Sequence, residues 1–173
     1  MRNFDFIVTT TRGFEDRAAS ELYELLSLLG DPAASLRKAE PGGVLLLATN
    51  GVGGLLDKVQ ETIKMQPWLL RTVQRIIPIQ KTMPTEINCI VRASAELGKS
   101  IPEEESLRIT VERRHTDISR EELINKSASQ IDRKVDLDNP DWILLIEVVG
   151  RVTGLSLLKP DEILSTEKFR REL

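Results

Sequence analysis

The residues best equipped for chemistry stand together at Arg113, Arg114 and His115, the last being the sole histidine of the 173 residues. A histidine acts as a general base only beside a nucleophile or an orienting carboxylate. No motif ties a serine, a cysteine or an acid to His115. Between arginines its natural use is to help hold an anion, with guanidinium groups offering two-pronged, charge-assisted hydrogen bonds. Cys89 is the only cysteine, which rules out an intramolecular disulfide, and one Cys with one His cannot complete a Cys/His zinc site. Cys89 itself reads as a small core residue on a helix. Glu103, Glu104 and Glu105 follow Pro102, and consecutive side chains diverge, so they read as solvated loop charge and not as a magnesium site. Gly51-Val-Gly53-Gly54 follows a strand and opens a helix, where free amides can hold a phosphate. It lacks the Lys-Ser/Thr of a P-loop and the third spaced glycine of a dinucleotide fingerprint, and reads as a plain connection. The expectation is of no catalytic residue, no cofactor and no metal.

The elements that must position these cations are legible on either side of them. In Ser106-Leu-Arg-Ile-Thr-Val-Glu112, Leu107, Ile109 and Val111 alternate with Arg108, Thr110 and Glu112, giving a strand with one dry face. Ser119 and Glu122 have capping-box spacing, and Ile118 can pack on Leu123 as a hydrophobic staple. The helix so started buries Leu123, Ile124, Ser127, Ala128 and Ile131 and turns Arg120, Lys126, Arg133 and Lys134 elsewhere. Val135-Asp-Leu137 is a short strand and Asp138-Asn-Pro-Asp141 a turn. Trp142 to Val149 is a nearly unbroken apolar run, as in a strand buried on both faces. Gly150-Arg151 suits a type II′ hairpin into Val152–Leu158. Trp68 and Trp142 flank strand starts and read as core or boundary packing.

Ser106-Leu-Arg-Ile, the cationic Arg113-Arg114-His115, the segment Val135-Asp-Leu-Asp-Asn-Pro-Asp141 and the hairpin after it resemble a THUMP domain over roughly Met83 to Leu158. Members of that family hold tRNA for thiolation, methylation, deamination and acetylation. With the preceding half, the chain is similar to the stand-alone THUMP proteins that serve tRNA cytidine acetylation. The resemblance implies a tRNA-binding adaptor, with an acetyltransferase partner that forms N4-acetylcytidine and itself binds acetyl-CoA and ATP.

Upstream, Phe4 to Val8 begins a strand, and Phe14, Ala18, Leu22, Leu25, Leu26 and Leu29 recur at helical spacing up to Gly30-Asp31-Pro32. Ser35–Ala39 and Val44–Thr49 pair across a Pro-Gly turn. Val52, Leu55, Leu56, Val59 and Ile63 mark a second helix, and Trp68 to Ile79 returns to extended structure. The order is β-α-β-β-α-β, that of a ferredoxin-like fold. Pro78 and Pro84 bracket a linker, beyond which Ile87 to Leu97 is helical and stops at Gly98. The fold class expected is α+β: a ferredoxin-like domain over residues 1–80, an α/β THUMP domain over 81–160, and a tail over 161–173.

At 40% apolar and 29% charged the composition is that of a globular protein. Apolar runs fall short of a membrane span, and Met1-Arg-Asn-Phe-Asp leads into a strand and not into a signal peptide, so a cytoplasmic location with no membrane partner is expected. The net charge of −3 means that any RNA surface must be local. Arg113 and Arg114 at a strand end, with Arg120 in the first helical turn, are placed to surround one loop. Those three and Lys126 are the expected phosphate contacts, joined by Arg108, His115 and Lys134. Aromatic residues make up 4% of the chain, which favours reading RNA shape and backbone over base stacking. The rival reading is a protein-interaction or small-ligand regulatory module without RNA, supported by the acidic balance.

Overall fold

The computed structural model describes residues 3–50 and 54–172. It separates the chain into two compact units, Met1–Pro78 with Ile163–Leu173, and Ile79–Glu162. In chain order the first supplies β1 (Phe6–Thr10), α1 (Glu15–Leu28), β2 (Ser35–Lys38), β3 (Val44–Ala48), α2 (Leu55–Met65) and β4 (Val73–Pro78). The second supplies β5 (Lys81–Pro84), α3 (Ile87–Gly98), β6 (Ser106–Arg114), α4 (Arg120–Ser129), β7 (Lys134–Val135), β8 (Trp142–Val149) and β9 (Val152–Leu158). The chain then returns to the first unit with β10 (Leu164–Ser165) and α5 (Thr166–Glu172).

In the first unit the strands lie in the order β10-β4-β1-β3-β2, and each pair is antiparallel. The apolar stripes of α1 (Ala18, Leu22, Leu25, Leu26) and α2 (Leu55, Val59, Ile63) share one core with Val8, Leu45, Leu47 and Ile76 of the sheet, the outcome that 3.6-residue spacing over period-2 strands requires. Strand β2 is an edge, and its outward Leu36 amide and carbonyl are both met by the Tyr23 hydroxyl, at 3.1 and 3.3 Å. Trp68 corrects the expectation of packing: it is 56% exposed, because the chain forms a 3-10 turn at Pro67–Leu69 whose inward place goes to Leu69. The segment 161–173, expected as a tail, instead carries β10 and α5. Leu164 pairs with Ile76, the Thr166 hydroxyl donates to the Val73 carbonyl at 2.7 Å, and Phe169 packs on the core.

The second unit has strand order β5-β9-β8-β6-β7. Strand β6 runs parallel to both β7 and β8, and β9 is antiparallel to β8 and β5. Ile90 and Ala93 of α3 and Leu123 of α4 share a core with Leu107, Ile109, Val111, Leu144, Ile146 and Val148 of the sheet. The stretch between the two prolines, expected as a linker, contains β5, and Pro84 is tolerated as the last residue of an edge strand. Gly150 has a φ of 64° whereas Arg151 does not enter the positive-φ region, which fits the II′ turn and not the I′ turn.

Candidate nucleic-acid interface

Strands β6 and β8 pair in register from Leu107 with Trp142 to Arg114 with Val149, so their carboxyl ends fall together. In open α/β sheets, ligands gather at such ends. The Gly150 amide donates to the Arg114 carbonyl at 2.8 Å, fixing the β8–β9 turn beside the end of β6. Helix α4 also starts at this end, where the Ser119 hydroxyl accepts from the Glu122 amide at 3.3 Å. Only that half of the capping box forms as a cap, since the Glu122 carboxylate turns along the helix to Lys126 at 2.9 Å.

The alternation of β6 sends its last two arginines to opposite faces. Arg113 is exposed and donates from Nη1 to the Ile118 carbonyl at 2.9 Å, bracing the loop into α4. Arg120 is exposed on the first turn of α4. His115 is exposed too, with a φ of 52°, and is the one non-glycine residue in the left-handed region among the described residues. That conformation costs a side-chain-bearing residue of order 1 kcal/mol. His115→Gly is therefore expected to raise unfolding stability by roughly 0.5–1 kcal/mol while weakening any bound anion. A thermal midpoint that falls in this variant removes the strain argument.

Arg114 has a different task. Its Nη1 lies 2.6 Å from the Glu147 Oε2, and the Glu147 side chain is fully buried in β8. A buried carboxylate needs a cation, and Arg114 supplies it, so its guanidinium is committed inside the sheet and not displayed beside Arg113. The signal was present in the sequence: Glu147 is the lone acid within the apolar run Trp142–Val149.

Three more of the expected cations sit apart. Lys126 is paired with Glu122 on the same helix. Lys134 lies opposite Ser106 at the start of β6, and Arg108 donates to the Leu137 carbonyl at 3.1 Å. The two ends of β6 are roughly 26 Å apart at about 3.3 Å per residue, so Lys134 and Arg113 cannot share one loop. The starting end of β6 also carries Glu103, Glu104, Glu105, Asp132, Asp136, Asp138 and Asp141, which disfavours a polyanion there.

Within Val135–Asp141 the acids hold backbone. Asp136 Oδ1 accepts from the Asn139 and Asp138 amides at 3.0 and 3.1 Å, and these bonds, Asn139 foremost, keep its carboxyl below the usual aspartate value. Asp141 accepts from the Ser106 amide at 2.9 Å, and its own amide donates to the Ser106 hydroxyl at 3.1 Å. This strap anchors the turn before β8 to the first residue of β6. Cys89 is half-buried against the second core. A hydrogen bond to the Glu86 carboxylate, helped by burial, pushes its thiol up, the opposite of an activated nucleophile. Gly51 to Gly53 lie outside the described residues. Among the described residues no His/Cys/Asp/Glu group is arranged to hold a metal, and no helix is long and apolar enough to cross a membrane.

Residues 88–158 match the family model of the THUMP domain. No curated protein matches the chain in sequence. Among solved structures, the chain is similar to PH1313 of Pyrococcus horikoshii, with TM-score 0.68, 16% identity and coverage of 91% of this chain and 55% of that one. It is also similar to TrmN of Thermus thermophilus, with TM-score 0.56, 17% identity and coverage of 88% and 44%. A third likeness is to a 4-thiouridine synthetase solved with RNA and ATP, with TM-score 0.59, 12% identity and coverage of 94% and 42%. The chain thus spans about half the length of the structures it resembles, and likeness at these identities speaks for shared fold. With the family match falling on α3 to β9, whose parallel strand ends display Arg113, His115 and Arg120, residues 88–158 of this chain are a THUMP domain.

Proposed function

We propose that this chain is a non-catalytic tRNA-binding adaptor, which holds folded tRNA for a separate modifying enzyme. The observation that carries this reading is the placement of Arg113, His115 and Arg120 around the loop between β6 and α4, at the carboxyl end of two parallel strands of a THUMP domain. Exposed guanidinium groups beside a helix start suit phosphate oxygens. A 4-thiouridine synthetase of similar fold has been solved with RNA bound, which agrees with an RNA ligand here. By the resemblance read from the sequence, the modification is N4-acetylcytidine formation, with acetyl-CoA and ATP held by the acetyltransferase partner. The first unit is read as a ferredoxin-like module, a reading supported by its β4-β1-β3-β2 antiparallel order.

The test is binding of the purified protein to folded tRNA over a range of salt, beside a single-stranded RNA and a duplex of similar length. Preference for tRNA with steep salt dependence is the expected result. Absence of binding, both alone and with the acetyltransferase added, overturns the reading in favour of a protein-interaction module.

A further inference from the structure

We infer that Arg151, at the tip of the β8–β9 hairpin, is a phosphate-contacting residue, and that the bound RNA backbone crosses the carboxyl ends of β6 and β8 from Arg120 past Arg113 to Arg151. This rests on the tRNA-binding reading and gives the site a direction. Backbone hydrogen bonds fix Arg151 on two sides. The Gly150 amide before it is bonded to the Arg114 carbonyl at 2.8 Å, and its own carbonyl accepts from the Thr85 amide at 2.9 Å. The residue therefore sits on a tight turn held between the ends of β6 and β5, at the same end of the sheet as Arg113. Its side chain is exposed and, unlike those of Arg114 and Lys126, is engaged by no carboxylate among the described residues. A II′ turn asks for glycine at its first central position and nothing basic at its second, so turn geometry leaves the choice of arginine unexplained. Neighbouring strands are about 4.8 Å apart. One or two strand spacings separate Arg113 from the hairpin tip, a span that arginine side chains can bridge to nearby phosphates of one backbone.

The experiment measures equilibrium binding of folded tRNA to the full chain for Arg151→Ala, Arg151→Glu, Lys134→Ala and the Arg113→Ala/Arg120→Ala double variant, with thermal unfolding of each. Arg151→Ala is expected to leave the unfolding midpoint in place, weaken tRNA binding about tenfold and reduce the log–log salt slope by roughly 0.7–0.9. Arg151→Glu should weaken it further, and Lys134→Ala, at the far end of β6, should bind as wild type. Wild-type affinity and slope in Arg151→Ala, with the double variant impaired, overturn the inference and leave the tRNA-binding reading standing. Wild-type binding by every variant overturns the inference together with the placement of the site at Arg113 and Arg120, and no binding by the wild type, both alone and with the acetyltransferase added, overturns the tRNA-binding reading as well. A midpoint lowered in step with binding assigns Arg151 a structural role and overturns the inference as well.

Discussion

Replacing Arg114 with methionine is expected to destabilise the fold by about 3–5 kcal/mol, because it strips a buried carboxylate of its cation. Glu147 has no exposed side-chain surface and takes the Arg114 guanidinium at 2.6 Å, in a strand whose other side chains are almost all apolar. Once the guanidinium is gone, the carboxylate must stay buried with poorer compensation, take up a proton, or pull β8 out of register. Each course costs stability. The paired replacement Arg114→Met/Glu147→Leu removes both charges together and is expected to recover most of the loss, since well-packed apolar substitutes for a buried ion pair are often neutral or stabilising. Denaturant unfolding of the two variants checks this. Equal destabilisation of the single and double variants would mean that side-chain volume matters here and charge pairing does not. A practical consequence concerns RNA binding: any weakening seen in an Arg114 variant reflects loss of fold before loss of contact.

The second large effect belongs to Arg113 and Arg120. Their joint replacement by alanine is expected to weaken tRNA binding about 100-fold, taking roughly 1.4 kcal/mol, or tenfold, for each lost phosphate contact. The salt slope should fall by roughly 1.4–1.8 as two phosphates keep their counterions. Both side chains are exposed, and among the described residues the one side-chain bond lost with them is that from Arg113 to the Ile118 carbonyl, so unfolding should change little. Affinity measured by fluorescence anisotropy from low to moderate salt separates the possibilities. A drop in affinity at unchanged slope would point to lost shape and not to lost charge.

The difference between these two arginines, adjacent in sequence, shows what was legible and what was not. The alternation of Leu107, Ile109 and Val111 is visible in the sequence, and continued for two residues it already places Arg113 and Arg114 on opposite faces. What the alternation does not reveal is which face offers a partner, because Glu147 lies 33 residues from Arg114 and meets it only through the pairing of β6 with β8. Lys134 failed to join the cluster for a related reason. Helix α4 carries the chain back along β6, so residues close in sequence to Arg120 end at the other end of the sheet. The short elements β5 and β10 carry too few residues for a period to show, and β10 gains its place from Ile76 and Val73, far away in the chain; the short strand read at Val135–Leu137 falls at Lys134–Val135. Ser119 and the Gly150 turn were readable because their chemistry is local.

Because β10 and α5 belong to the first unit, that unit brackets the second in the polypeptide. A ribosome delivering residues in order releases every strand of the THUMP domain before it releases Leu164 and Thr166, the residues that cover β4. Until then the outer edge of β4 has open backbone donors and acceptors, the kind of surface on which nascent chains pair wrongly. Synthesis that stalls between residues 158 and 164 would leave a finished second unit beside a first one with an uncovered edge.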